Sequence, residues 1–265
     1  MLTIRQYVRP QTLEEAYTLC QKRTSVVLGG MVWLKMQNRT VSTAIDLCGL
    51  GLDTITEDEE NYYIGAMASL RDLELHPGLN ALTCGAAAES VKGIVGVQLR
   101  NTATVGGSVF ARFGFSDVTT LMTALEARVE LYGAGVLTME EFAALPRPTR
   151  DILVRIIVPK TARKLVYLSQ RNTKTDIPVL TCAAVQRAGE TFVVLGARPR
   201  NAAIVRDTAG LLKDGITPES AAAFGTRASE ELAFGSNSRA GADYRRKVAA
   251  VLVRRAVLAL CDKEG

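Results

Sequence analysis

The sequence predicts an α+β fold with at least two domains. Strand-like and helix-like segments are mixed through residues 1–159, which is not the pattern of an all-α or an all-β chain. After Pro159 the order changes, because three strand patterns are followed by two long helical patterns. We therefore expect one domain over residues 1–159, made of subdomains at about 1–51 and 52–159, and a C-terminal domain over residues 160–265.

The first subdomain is predicted as strand, helix, strand and strand. Residues 4–8 alternate between apolar and polar side chains, as a half-buried strand does. The segment from Thr12 to Glu15 has the sequence of a capping box at the start of a helix. The apolar run at residues 26–28 predicts a strand that Gly29 and Gly30 end, and residues 43–47 predict the last strand.

The second subdomain adds strands at residues 62–66, 129–132 and 152–158 and a helix at residues 82–92. Ser116 and Asp117 are suitable caps for another helix, and Thr138 with Glu141 forms a second capping box. In the C-terminal domain we expect strands at residues 165–168, 179–186 and 191–195, and helices at about residues 218–233 and 242–261.

Cysteine and histidine usage limits the possible chemistry. The five cysteines have no metal-ligand spacing, and an odd number of them argues against a disulfide framework. The one histidine, His76, is followed by Pro77 in a turn, so a multi-histidine metal site and a Ser-His-Asp triad are both disfavoured. We expect no metal ligand and no catalytic acid or base. The first residues lack the basic start and apolar run of a signal peptide, which favours a cytoplasmic protein.

The net charge of +5 is concentrated near the C-terminus, where residues 239–265 hold seven basic and three acidic residues. Nucleic acid is one interpretation, but there is no aromatic interleaving and no glycine-rich RNA motif. We favour a solvated helix face or a contact with an acidic protein partner, and expect neither a nucleic acid nor a membrane as partner. Helical spacing places Val248, Val251, Leu252, Leu258 and Arg255 on one face of the last helix, with Arg246 and Arg254 outside it.

Two glycine pairs are the strongest sign of a binding site. Consecutive glycines let backbone N–H groups approach a ligand without a Cβ in the way, and such segments bind phosphate oxygens. The first pair, Gly29 and Gly30, follows a strand, and the second pair lies in a predicted loop at Thr104–Ser108. Neither is a Rossmann or a Walker motif. The residues alone therefore indicate a non-Rossmann site for a diphosphate.

The two segments resemble the flavin motifs of the FAD subunits of molybdenum hydroxylases, the family of xanthine, carbon monoxide and nicotinate dehydrogenases. Residues 26–33 are similar to the first motif, here called the first glycine motif. Residues 98–108, followed by Ser116 and Asp117, are similar to the second, and Thr104–Ser108 is here called the second glycine motif. Shorter similarities occur in order at residues 63–66, 124–127, 176–179, 242–246 and 252–256, so the resemblance extends over nearly the whole chain.

The resemblance implies a vanillyl-alcohol-oxidase-type FAD-binding domain of two subdomains, followed by a small domain with an antiparallel sheet and helices. The two glycine motifs would hold the FAD diphosphate. Asp117 would accept hydrogen bonds from sugar or ribityl hydroxyls, Ile94 would lie near the ring system, and Leu153 would meet the adenine or the ring edge. The residues implied to bind FAD are Val26, Val27, Leu28, Gly29, Gly30, Met31, Val32, Trp33, Ile94, Thr104, Val105, Gly106, Gly107, Ser108, Asp117 and Leu153.

By the same resemblance, the chain would be the electron-transfer subunit of a multi-subunit oxidoreductase. A large subunit would carry molybdopterin, a small subunit would carry [2Fe-2S] clusters, and NAD or another acceptor would take electrons from the flavin. Two alternatives stay open. Relatives commonly have a hydroxyl or amide residue where this chain has Met31, so one alternative is a non-catalytic assembly subunit that has lost FAD. The other is a stand-alone flavin reductase on the same fold.

Overall fold

The computed structural model describes residues 1–262, and contacts between residues divide the chain into two units. The first unit comprises residues 1–72, 97–111 and 126–159, and the second comprises residues 73–96, 112–125 and those from 160 onward. The predicted domain boundary at residue 159 stays a prediction. In chain order the elements are β1 (Thr3–Val8), α1 (Leu13–Cys20), β2 (Ser25–Leu28), β3 (Thr40–Asp46), β4 (Ile55–Glu57), β5 (Asn61–Gly65), α2 (Leu70–Leu75), α3 (Pro77–Leu82), α4 (Ala86–Lys92), α5 (Val97–Thr102), α6 (Val105–Phe110), α7 (Asp117–Ala124), β6 (Arg128–Leu131), β7 (Gly135–Thr138), α8 (Met139–Ala144), β8 (Leu153–Pro159), β9 (Lys164–Gln170), β10 (Leu180–Arg187), β11 (Glu190–Gly196), β12 (Ala203–Arg206), α9 (Pro218–Glu231) and α10 (Ala242–Leu258).

The first unit begins with a three-stranded parallel sheet in the order β1-β3-β2. The central strand β3 buries Ala44 and Ile45 completely. Helix α1 connects β1 to β2 and begins at Thr12, whose hydroxyl accepts a hydrogen bond from the backbone N–H of Glu15. Its buried residues Ala16 and Cys20 pack in one apolar cluster with Ile45. The sheet leaves β2 at an edge, with one side of its backbone outside the ladder.

The rest of the first unit is a five-stranded antiparallel sheet in the order β4-β5-β8-β6-β7. The central strand β8 pairs with β5 and β6, and its residue Ile156 is fully buried. Helix α6 packs on this sheet near β5 and buries Val105 and Val109. Helix α8 begins with the predicted capping box, because Thr138 and Glu141 exchange side-chain and backbone hydrogen bonds.

The second unit is a four-stranded antiparallel sheet, in the order β12-β11-β10-β9, with helices packed against it. Strand β10 is buried over Leu180–Val185, including Thr181, whose hydroxyl lies 2.9 Å from that of Thr120 on α7. Helix α10 packs on β10 and β9 and on α9. This burial explains the nearly continuous apolar sequence of β10, since a strand covered on both faces needs no polar alternation.

Most predicted elements are present, and three expectations need correction. The helix expected at residues 82–92 begins only at Ala86, because Cys84 and Gly85 have positive φ angles of 51° and 83° that an α-helix cannot contain. The loop expected at residues 104–108 is the start of helix α6. The short strands β4, β7 and β12 were not expected. They have three or four residues each, too few for an alternating pattern to be recognised.

The face that helix α10 buries differs from the predicted one. Its buried residues include Ala249, Leu252, Val253 and Val257, whereas Val251 is 47% exposed. Arg255, expected on the apolar face, is exposed. The buried face also contains Arg245, whose guanidinium group does not face solvent and donates a hydrogen bond to the carbonyl of Val179 in the protein interior. The prediction left Arg245 off the apolar face and included the exposed Val251 and Arg255, so the predicted face was displaced around the helix.

Candidate functional site

The two glycine motifs meet at one cavity in the first unit. Its volume is about 480 Å³, within the range of small-molecule sites. The cavity also contacts the residues that connect β5 to α2 and those that lead into β8. The predicted site residues that line it are Val26, Val27, Leu28, Gly29, Thr104, Gly106, Gly107 and Leu153. That they bind FAD stays a prediction.

The free edge of strand β2 borders this cavity. Side chains of consecutive strand residues point to opposite faces of a sheet. Every residue from Ser25 to Gly29 nevertheless lines the cavity, and β2 is an edge strand. The cavity therefore runs along the free edge of β2, where backbone groups outside the sheet ladder face it.

Other residues of the two motifs lie outside the cavity lining. A Cβ on Gly30 would lie 1.9 Å from the carbonyl oxygen of Thr102, so glycine is required there by the close approach of two backbone segments. Met31 has a φ of 55° and its side chain packs on the apolar cluster around Leu28. Trp33 is 42% exposed. The remaining predicted residues outside the lining are Val32, Val105 and Ser108.

The two glycines of the second motif have different surroundings. A Cβ on Gly106 would lie 2.4 Å from the carbonyl oxygen of Ala66, which also accepts the N–H of Gly106 at 2.9 Å. A Cβ on Gly107 would meet one atom within 4 Å, the Thr104 hydroxyl oxygen at 2.9 Å. On Gly29, a Cβ would meet the same oxygen at 2.9 Å and the Cα of Gly107 at 3.6 Å. Gly106 thus serves the packing of the unit, whereas Gly29 and Gly107 keep the cavity open.

Four charged residues of the cavity were not predicted from the sequence. Arg23, Arg39, Arg150 and Asp151 all line it. They come from the connection before β2, the connection before β3 and the segment before β8, and no motif joins them. The only signal in the sequence is that each lies one to four residues before a predicted strand, which many surface arginines also do.

Asp151 is held by backbone amides. Its carboxylate accepts hydrogen bonds from the N–H groups of Gly133 and Ile152 at 2.8 Å and of Ala134 at 2.9 Å. These bonds fix the turn between β6 and β7. Nearby, burial raises the pKa of the Cys20 thiol to about 11, and the charge of Asp151 adds to the rise. Cys20 is therefore a neutral thiol at pH 7 and contributes no charge to the cavity.

Asp117 and Ile94 belong to the second unit. Asp117 starts helix α7, and its Oδ1 accepts hydrogen bonds from Tyr167 Oη at 2.8 Å and from Arg171 Nη2 at 2.7 Å. Burial raises the pKa of Asp117, while the charge of Arg171 and these two bonds act in the opposite direction. Ile94 lies in the turn after α4, and its N–H donates to the carbonyl of Val91 at 2.8 Å. Their roles toward FAD stay predictions.

Among residues 1–262, no group of three or more His, Cys, Asp or Glu side chains is arranged to hold a metal ion. No helix among the described residues is long and apolar enough to cross a membrane.

Curated proteins similar to this chain include the uncharacterized protein YgfM of Escherichia coli K12. It is 28% identical over 185 residues, which are 68% of this chain and 69% of that protein. The nicotinate hydroxylase hnxS of Emericella nidulans is 23% identical over 208 residues, 67% of this chain but 15% of that much longer protein.

Solved structures confirm the predicted fold class. A chain of quinoline 2-oxidoreductase from Pseudomonas putida 86 has a TM-score of 0.87 at 20% identity, with coverage of 99% of this chain and 97% of that chain. A chain of carbon monoxide dehydrogenase from Hydrogenophaga pseudoflava has a TM-score of 0.85 at 25% identity, with 97% of both chains covered. Residues 3–161 match the family described as the FAD binding domain in molybdopterin dehydrogenase. The chain therefore belongs to this family of FAD-binding domains, and FAD is its cofactor.

Proposed function

We propose that the chain is the FAD-carrying electron-transfer subunit of a multi-subunit molybdenum hydroxylase of the xanthine dehydrogenase type. It would receive electrons from [2Fe-2S] clusters on a small partner subunit, while a large partner subunit carries molybdopterin. NAD or another acceptor would then take the electrons. The observation that supports this most is the cavity where both glycine motifs meet, in a chain whose family is the FAD domain of molybdopterin dehydrogenases.

The residues present fit a bound FAD. Gly29 and Gly107 lie beside each other, and a Cβ on either would be 2.9 Å from the Thr104 hydroxyl oxygen, so both glycines keep a cradle open. The Thr104 hydroxyl accepts the N–H of Gly107, and its own proton is available to a ligand oxygen. FAD, when bound, supplies the redox chemistry. The work of this chain is to hold the cofactor, to orient it and to exclude water from it.

The relatives support the need for partner subunits. The Hydrogenophaga enzyme is a carbon monoxide dehydrogenase described as lacking the Mo-pyranopterin moiety of its molybdenum cofactor, and this chain covers 97% of one of its chains. The nicotinate hydroxylase of Emericella contains a similar segment as a minor part of a longer protein. In both cases the part similar to this chain is one component of a larger enzyme.

Purification of the tagged chain from its native cells tests the proposal. We expect one molecule of FAD per chain and co-purification of a large subunit with molybdenum and a small subunit with iron. Oxidation of the reduced complex by NAD, compared with other acceptors, identifies the acceptor. A chain that carries FAD but co-purifies with neither metal would contradict the multi-subunit assignment.

The alternative of an assembly subunit without FAD disagrees with the family, whose cofactor is FAD. The Met31 side chain, which suggested that alternative, packs into the apolar cluster around Leu28 and lies outside the cavity lining. Flavin absorbance after reconstitution with saturating FAD tests this point, and the proposal requires bound flavin.

A further inference from the structure

The backbone amides of the second glycine motif are already used within the protein. The N–H of Val105 donates to the carbonyl of Ala68 at 2.8 Å, and the N–H of Gly106 donates to that of Ala66 at 2.9 Å. The N–H of Gly107 donates to the Thr104 hydroxyl, and the N–H of Ser108 donates to the Thr104 carbonyl, both at 3.1 Å. This segment therefore leaves room for a ligand, but these four N–H groups already donate hydrogen bonds within the protein.

The same cavity is lined by three arginines whose charges are not neutralised locally. In the part of the chain that the structure describes, no carboxylate pairs with the guanidinium groups of Arg23, Arg39 or Arg150. Asp151 is the one carboxylate among the lining residues, and its oxygens accept three backbone N–H groups. Three arginines and one aspartate give the lining a net formal charge of +2.

We propose that Arg23, Arg39 and Arg150 bind the phosphate oxygens of the FAD diphosphate, and that side-chain charge replaces the amides of the second glycine motif as the main source of phosphate affinity. The inference rests on the proposed function, since it assumes that FAD occupies this cavity. A guanidinium group suits the role because it stays charged at every physiological pH and donates two parallel hydrogen bonds to a phosphate.

This arrangement has two consequences for binding, and the first would not follow from backbone amides alone. FAD binding depends strongly on salt concentration. Arg23 and Arg39 are exposed, so dissolved ions screen their charges. Binding also requires the diphosphate, so ADP competes with FAD for the cavity whereas riboflavin, which has no phosphate, does not.

The test is FAD titration of the full chain, freed of flavin, with Arg23→Gln, Arg39→Gln and Arg150→Gln separately and together. Each loses a charge-assisted hydrogen bond, so each single change is expected to weaken FAD binding about tenfold or more. Arg5→Gln is the matched control, because Arg5 is exposed on β1 and does not line the cavity. Thermal unfolding without FAD is expected to be the same for all variants except for small shifts at Arg150, which is half-buried.

The possible outcomes separate the inference from the proposed function. Tight binding by the unmodified chain, a loss in the three cavity variants and none in Arg5→Gln supports the inference, whereas competition by riboflavin as strong as that by ADP overturns it. If the unmodified and triple-variant chains bind FAD equally, the inference is overturned and the FAD assignment stands. If Arg5→Gln weakens binding as much as the cavity variants do, the effect is one of overall charge, and the inference is overturned. A chain that binds no FAD after saturating reconstitution contradicts the proposed function itself.

Discussion

At the scale of single residues, the adjacent glycines Gly106 and Gly107 have different roles, since Gly106 allows close packing and Gly107 keeps the cavity open. An added Cβ at Gly107 projects toward the Thr104 hydroxyl and the cavity, and its φ is outside the left-handed region, so Gly107→Val adds no backbone strain. The added side chain fills space in the cavity that the cofactor needs, and a steric cost of about 1–3 kcal/mol there lowers FAD affinity about 5- to 150-fold. The measurement is FAD titration, with only a small shift expected in thermal unfolding of the flavin-free variant, since the Thr104 hydroxyl must move aside.

Gly106→Ala is the matched control for this substitution. Its Cβ would lie 2.4 Å from the carbonyl oxygen of Ala66, a backbone atom that cannot move aside easily. The free energy of unfolding without FAD is expected to fall by about 1–3 kcal/mol. If Gly107→Val binds FAD as tightly as the unmodified chain, the second glycine motif does not border the cofactor.

Cys20 gives a prediction about pH. Burial raises the pKa of its thiol from 9.0 to about 11, so the folded protein holds this proton over a range in which the unfolded chain releases it. The stabilising contribution is complete below pH 9 and is lost as the pH rises toward 11. Two pKa units correspond to about 2–3 kcal/mol. Urea unfolding under reducing conditions at pH 8 and pH 10.5 measures this fall in the free energy of unfolding.

Cys20→Ala removes this titration and leaves the other groups in place. The difference in unfolding free energy between the unmodified chain and Cys20→Ala is therefore expected to shrink as the pH rises. A difference that stays constant from pH 8 to pH 10.5 would show that the thiol is not desolvated in the folded protein.

At the scale of elements, a buried arginine on helix α10 hydrogen-bonds the helix to its neighbouring segments. Arg245 is fully buried and donates to the carbonyls of Val179, Gly235 and Ala240 and to the side chain of Asn237, at 2.6–2.9 Å. Burial lowers the pKa of Arg245, yet an arginine keeps its charge at neutral pH. The guanidinium group thus joins α10 to Val179, which directly precedes strand β10, and to the segment before the helix.

Arg245→Met is expected to lower the free energy of unfolding by about 3 kcal/mol or more, because it leaves several buried oxygens without donors. Arg246→Met is the control, since Arg246 is exposed and its one described contact is with Asp243 on the surface at 3.4 Å. Urea denaturation measures the free energy of unfolding of both variants. Equal stability of the two would mean that the Arg245 hydrogen bonds contribute nothing.

At the scale of the whole molecule, the remaining basic residues of α10 are available to a partner. Arg246 and Arg254 are exposed, and the C-terminal region carries most of the net charge. We expect the double change Arg246→Glu and Arg254→Glu to weaken assembly with partner subunits, more at low salt than at high salt. Co-purification at two salt concentrations measures this, and FAD content is expected to stay constant. Unchanged assembly with loss of FAD would contradict the prediction.

Local patterns predicted much of the fold. Capping residues Thr12, Ser116 and Thr138 all accept the expected hydrogen bonds, because a cap depends on residues three positions apart. The helical start at Val105 was missed, since glycines disfavour helices and the cap at Thr104 competes with a loop interpretation. For the candidate site, the glycine pairs indicated a diphosphate site from the residues alone and FAD by resemblance, whereas the arginines around the same cavity were not found.

By itself, the sequence determined the fold class, the order of most elements and the family, since each depends on periodicity or on short contiguous motifs. Only the tertiary structure decided which residues share a surface. Strand order placed β2 at the edge of its sheet and brought Arg23, Arg39 and Arg150 to one cavity, although they lie far apart in the chain. It also separated Gly106 from Gly107 in function, because the close approach of Ala66 is a contact between distant segments that no local pattern encodes.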